Sequence, residues 1–368
     1  MNTENKKGSF LAKEGVQSLI ASLICILLGL LVGYIVLLFI NAQGAGRAII
    51  SILKNFLYFP KPAVALEYFG STLAKMAPLL MCTLSILFAY KVGLFNIGAS
   101  GQYAVGAGLS LFLALKFQMP WYVCLLAAMV GGGILGGISG ALKAYLNVNE
   151  VIAGIMLNWI SLYCVNMLLT NVKESSTTYT LALRTNAPGG LLPHAGLDKL
   201  FSDNKYVTIA IPLAIIIAIV VWVIMEKTKL GYELKATGLN KNAAKYAGMK
   251  EKYNMILTMI IAGCLSGLGA ACLYLSGIEQ WSCAQTAVPA MGFNGIAAAF
   301  LGGLNPIGSI FSAFFIQHIT SGGSYVDKMV YASQISDLIS AVIIYFCSFV
   351  LFFKYVMKRV AAKKGGNA

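Results

Sequence analysis

Ten apolar runs, most of them near 20 residues long, constrain this chain more than any other feature. They lie at 16–40, 71–90, 94–115, 121–143, 149–170, 206–225, 254–276, 286–303, 306–321 and 333–354. A helix needs about 20 apolar residues to cross a hydrocarbon core of ~30 Å. Inside that core a helix satisfies its own amides and carbonyls, where an open chain would leave them bare. Charged residues make up only 11% of the 368 residues, against about 25% in soluble domains. The expectation is an all-α polytopic membrane protein, one transmembrane domain over residues 1–368. The runs at 71–90 and 94–115 have almost no joint between them, and neither have those at 286–303 and 306–321. Either pair reads as a broken or re-entrant helix, which gives eight to ten spans.

The net charge of +14 invites a nucleic-acid partner, but the placement of the charges excludes it. The basic residues gather at span ends, where they set orientation in the bilayer. With the N-terminus inside, seventeen of the 27 Lys and Arg residues fall on the cytoplasmic side, so both termini are expected inside. The basic stretch at 226–253 then forms a cytoplasmic loop. Residues 171–205, rich in Ser, Thr, Asn, Gly and Pro, form the largest extracytoplasmic loop. It reads first as a solvated connector and second as a docking surface for an external partner. Residues 42–70 carry an amphipathic pattern (Ile49, Ile50, Leu53, Phe56, Leu57) suited to the membrane interface. The first run is too long for the core of a cleavable signal peptide and reads as a signal anchor.

Several chemistries lack their parts. None of the eight cysteines has CxxC or metal-ligand spacing, and the two histidines, His194 and His318, stand apart. No catalytic residue, metal site or cofactor is expected. No GxxxxGK[ST] phosphate loop is present, so any ATP is bound elsewhere. An ion-coupled secondary transporter of a small polar solute is the alternative reading. Such proteins use buried acids, and the only acid well inside an apolar run is Asp337.

Gly93-Leu-Phe-Asn-Ile-Gly-Ala-Ser-Gly-Gln102 breaks the apolar pattern with small and polar residues. Irregular polar backbone is tolerated at membrane depth where protein encloses it or it lines a cavity. Phe293-Asn294-Gly295 echoes Phe95-Asn96-Ile-Gly98 in the eighth run as against the third. An offset of five spans reverses direction, as inverted-topology repeats require. Phe95, Asn96, Ser100, Gln102, Phe293 and Asn294 are therefore read as pathway-lining. Their amides and aromatic faces suit a neutral, hydroxyl-rich or heterocyclic solute. Asn158, Asn166, Gln280 and Gln317 are read as interhelical hydrogen-bonding groups before ligand contacts.

Two ridges of small residues, Gly132/Gly136/Gly140/Ala144 and Gly263/Gly267/Ala271, predict close helix packing. In the 226–253 stretch, Asn240 predicts the cap of a short helix over 241–247 that Gly248 closes. Leu239, Ala243, Ala244 and Ala247 would form its apolar face, shaped for a groove in another protein.

The spacing Gly-x-Asn-x-x-Ala-Ala-x-x-x-Gly-Met, from Gly238 to Met249, resembles the coupling-helix loop of ABC importer permeases of the ribose and branched-chain amino-acid group. The stretch 93–102 and the stretch Asn149-Glu-Val-Ile-Ala-Gly-Ile-Met-Leu-Asn158 resemble the nucleoside and simple-sugar permeases within it. Two positions depart from the pattern: Lys235 stands where Arg is usual and Lys241 where Pro is common. The resemblance spans essentially the whole chain. It implies a multi-pass permease of the bacterial cell membrane, importing nucleosides or related simple sugars. Its implied partners are a cytoplasmic ABC ATPase, a second permease subunit (a related chain or a copy of itself) and an extracytoplasmic substrate-binding lipoprotein. Gly238, Asn240, Ala243, Ala244 and Gly248 would then couple the chain to the ATPase.

Overall fold

The computed structural model describes residues 14–327 and scattered positions between 330 and 359. Asp337, residues 1–13 and twelve of the 22 residues of the 333–354 run lie outside the described residues. The described chain is built from helices: α1 (Glu14–Ile40), α2 (Ala42–Lys54), α3 (Pro62–Lys91), α4 (Ala99–Phe117), α5 (Trp121–Leu146) and α6 (Glu150–Leu169), then two single turns, α7 (Leu183–Asn186) and α8 (Leu197–Leu200). After them come α9 (Ala210–Lys227), α10 (Lys229–Leu239), α11 (Lys241–Tyr246), α12 (Glu251–Tyr274), α13 (Ala290–Leu301) and α14 (Pro306–Gly322). Six of these, α1, α3, α5, α6, α9 and α12, are long and apolar enough to cross a membrane. The apolar runs that became α4, α13 and α14 fall short of these six in apolarity or length.

α3 is the axis of the bundle, with 89% of its apolar stretch buried, whereas α1 and α6 stand at the rim with 22% and 33%. The tightest seam joins α5 to α12. The two glycine ridges face each other there: a Cβ on Gly132 would run into the Gly263 carbonyl, and one on Gly136 into that of Met259. Backbone approach of this kind is open only to small residues.

α2 is an amphipathic helix, as its pattern predicts. Asn41 caps it, accepting from Gly44 N at 3.0 Å, and Ala45, Ala48 and Ile52 face the bundle while Ile50 and Leu53 stay exposed. The 171–205 stretch is no free connector. Thr180 N donates to Trp281 O (2.9 Å), Cys283 N to Thr178 O (2.8 Å) and Leu192 N to Leu275 O (2.9 Å), so it is stitched to the segment after α12. Trp281, fully buried, anchors the stitch through its indole N–H, which donates to Asn166 Oδ1 at 2.8 Å. Polar backbone packed on polar backbone satisfies both segments, a pairing between distant stretches that composition does not reveal.

Candidate functional site

Segment 92–101, the link between α3 and α4 with the first turn of α4, is the meeting point of the stretches singled out by sequence. Gly93 adopts φ +74, a left-handed turn that glycine takes without steric penalty. The chain then folds back along α3. Asn96 Nδ2 donates to Ser85 Oγ at 3.0 Å and to Gln102 Oε1 at 2.8 Å, and Gln102 Nε2 returns a bond to Asn96 Oδ1 at 3.1 Å. Ser85 lies six residues before Lys91, so Asn96 sits about 9 Å along the helix axis from it. Asn96, Gln102 and Ser100 are buried, and the Ser100 hydroxyl has no partner.

α6 packs on this segment. Asn158 Oδ1 accepts from Gly101 N at 2.7 Å and its Nδ2 donates to Ile97 O at 3.0 Å. A Cβ on Gly154 would come within 2.8 Å of Gly98 N. The second half of the chain arrives through α13. A Cβ on Gly292 would meet the Ser100 side chain and backbone, and one on Gly295 would lie 2.9 Å from Cys82 C. The two Phe-Asn stretches therefore touch. Their conformations differ, because Phe95 and Asn96 are irregular while Phe293 and Asn294 are helical, near the start of α13. Phe293 is exposed and Phe95 and Asn294 half-buried, so these three remain accessible whereas Asn96, Ser100 and Gln102 are enclosed.

The third stretch reaches the same place. Gly238 lies against Val92 and Gly93 so closely that a Cβ would collide with the Val92 carbonyl, and a Cβ on Gly93 would sit 2.9 Å from Gly238 O. Around this joint Glu226 accepts from Lys91 at 2.6 Å and from Lys235 at 3.0 Å. Asn254 Nδ2 donates to Thr237 Oγ1 at 2.8 Å, tying α10 to α12.

α11 forms as expected, one residue shorter. Asn240 Oδ1 accepts from Ala243 N at 3.0 Å, and Gly248 at φ +81 ends the helix, with Met249 N donating back to Ala244 O at 2.9 Å. Ala244 faces inward at 3% exposure. Leu239, Ala243, Tyr246 and Ala247 face out, with Leu239 at 89% and Tyr246 at 94% exposure. The outward apolar face is thus Leu239, Ala243, Ala247 and Tyr246, with Ala244 packing α11 onto the bundle.

Of the weaker candidates, Asn158 and Asn166 bond between segments and Gln280 Nε2 donates to Thr180 O at 3.0 Å. Gln317 bonds within its own helix, to Ser321 Oγ at 3.0 Å. The sequence reading did not single out Ser85 or Gly292. Gly292 carried a signal, as the residue directly before Phe293-Asn294 in the repeated stretch. Among the described residues, no group of three His, Cys, Asp or Glu side chains is placed to hold a metal.

Apolar helices, a polar break closed in by glycine contacts and a basic loop pressed against that break define a multi-pass membrane protein with a built-in joint. The model of the branched-chain amino acid transport system permease component family matches residues 68–348, and the chain belongs to that family. The chain is 31% identical to the guanosine ABC transporter permease protein NupP of Bacillus subtilis (strain 168), over 96% of its own length and 99% of the relative's. It is 32% identical to the nucleoside ABC transporter permease protein NupB of Lactococcus lactis subsp. cremoris, over 96% of each. To the glucose ABC transporter permease protein TsgB13 of Haloferax volcanii it is 29% identical, over 81% of each. No solved structure matches it.

Proposed function

We propose that this chain is the nucleoside-conducting permease subunit of an ABC importer, moved by ATP hydrolysis on a partner ATPase. The observation that carries the reading is the joint at Gly93 and Gly238, where the coupling stretch rests backbone-to-backbone on the segment that leads into Asn96, Ser100 and Gln102. A push on α10 and α11 reaches that segment with no side chain to absorb it. The relatives matched over nearly the full length carry guanosine and nucleoside in their names, while the glucose relative is matched over less.

In this reading residues 226–253 and both chain ends are cytoplasmic, and the stitched loops at 171–205 and 275–289 face the extracytoplasmic binding lipoprotein. A second permease subunit completes the path. Its lining is Phe95, Phe293 and Asn294, with Asn96, Ser100 and Gln102 joining when the segment opens. The Phe-Asn stretches are the matching parts of two inverted repeats. Gly238, Asn240, Ala243 and Gly248 form the ATPase-facing joint, and Ala244 secures it from behind.

The test is uptake of labelled guanosine into proteoliposomes holding the permease with its partner permease, ATPase and binding protein. Uptake should require hydrolysable ATP, and unlabelled nucleosides should compete where glucose does not. Uptake that persists with a hydrolysis-dead ATPase refutes the coupling. Competition by glucose alone refutes the nucleoside assignment.

A further inference from the structure

At the end of the bundle opposite α10 and α11 lies a cavity of about 310 Å³, within the size range of small-molecule sites. Its walls include Tyr68 and Lys75 of α3, Tyr206 from the loop after α8, Ser321 of α14 and Tyr325 just beyond it. These come from three separate stretches of sequence, and none belongs to the joint at segment 92–101.

Lys75 is the unusual member. It stands in the body of α3, sixteen residues before Lys91 and so about 24 Å along the helix from it. None of the four ion pairs of the described residues includes it, and it makes no hydrogen bond with them. An ionisable side chain within a spanning helix is costly, and the arrangement persists where it faces water, a partner or a ligand. Here it faces the cavity.

The tyrosines form a braced frame. Phe59 stacks parallel on Tyr68 with centroids 4.4 Å apart, and Tyr325 meets Tyr68 edge-on at 5.4 Å. The phenols of Tyr68, Tyr206 and Tyr325 have no hydrogen-bond partner among the described residues. Burial first, and Tyr68 second, push the Tyr325 pKa up to about 12, so that phenol keeps its proton for donation. Ser321 Oγ accepts from Gln317 and retains its own hydrogen. Tyr206 also lines a neighbouring cavity of about 200 Å³, and the Arg184 guanidinium lies 5.0 Å from its ring centre.

Held rings, one unpaired cation and free hydroxyls match the parts of a nucleoside. Aromatic rings hold a planar base by stacking, worth about 1–3 kcal/mol per base. A lysine donates to the ring-edge acceptors of a purine, and hydroxyls exchange hydrogen bonds with ribose. We propose that this cavity is a nucleoside-holding subsite in which Lys75 donates to a ring-edge acceptor of the base and Tyr68, Tyr206 and Tyr325 contact its faces and edges. The assignment rests on the nucleoside reading above.

The test is equilibrium binding of tritiated guanosine to the detergent-solubilised full complex, without ATP or binding protein, alongside uptake by the same complex in proteoliposomes. Wild type should bind saturably. Lys75→Met should weaken binding about tenfold or more, the cost of one charged hydrogen bond, and Lys75→Arg should restore most of it. Tyr206→Leu, in a loop where folding is at less risk, should weaken binding several-fold while the solubilised complex keeps its wild-type thermal midpoint. Wild-type binding in both Lys75→Met and Tyr206→Leu overturns the subsite. So does guanosine uptake by a wild-type complex that shows no saturable binding, and that result leaves the importer reading standing. A wild-type complex that takes up no nucleoside overturns both.

Discussion

At the α10–α11 end of the bundle backbone meets backbone, whereas at the opposite end tyrosine and lysine side chains stand around open space. Gly238 on Val92 and Gly93 leaves no gap for a methyl group. Lys75 and its tyrosine frame leave about 310 Å³. The first arrangement tolerates no added atom. The second adapts to a solute and responds to substitution by degrees.

This contrast orders the expected effects. Gly238→Asp should be the most severe, because its side chain would enter the Val92 carbonyl and add an unpaired charge. Uptake should fall about 100-fold or more while the protein remains in the membrane, as overpacking and charge burial each cost 1–3 kcal/mol or more. Near-normal uptake would show that the joint does not transmit motion. Asn96→Leu should come next. It strips Ser85 and Gln102 of buried partners, a loss of about 1–3 kcal/mol, read as earlier thermal aggregation of the solubilised complex. An unchanged midpoint would mean that the amide pair does not hold the fold-back.

Glu226→Gln should act more gently, since the three side chains of the Lys91–Glu226–Lys235 cluster are each 21–33% exposed. Partly exposed pairs contribute about 0–1 kcal/mol and weaken in salt, so uptake should drop a few-fold at low ionic strength and converge on wild type in high salt. Equal deficits at all ionic strengths would point to a steric role instead. Smallest of all, Ser324→Ala at the exposed rim of the opposite cavity should leave uptake within about twofold, as surface changes are usually within ±0.5 kcal/mol. A large loss there would break the contrast, because that end would then be as intolerant as the joint.

Much of this was legible in the sequence for local reasons. The spans follow from runs of apolar residues, and the α11 boundaries from the cap at Asn240 and the left-handed Gly248. Both glycine ridges were visible as spacings, but not that each was the other's partner, since a ridge carries no label for the helix it meets. The polar break was visible and its closure was not. Asn96 and Gln102 read as lining because amides in an apolar run suggest water, and the sequence carried no sign that they also pair with each other and with Ser85. Lys75 was counted among the orientation charges. Its distinction, the lack of a partner beside a cavity, depends on Tyr206 and Tyr325, both more than 100 residues away in sequence.

The α5–α12 seam has a consequence for how the protein moves. Where two helices touch through bare backbone there are no rotamers to exchange, so neither can slide or roll on the other without passing through a clash. They behave as one beam. Thr237 fastens that beam to α10 through Asn254 at one end, and the short turn after α5 carries it into α6. A displacement of one of the pair displaces the other, and relative movement within the bundle falls to helices that meet through side chains.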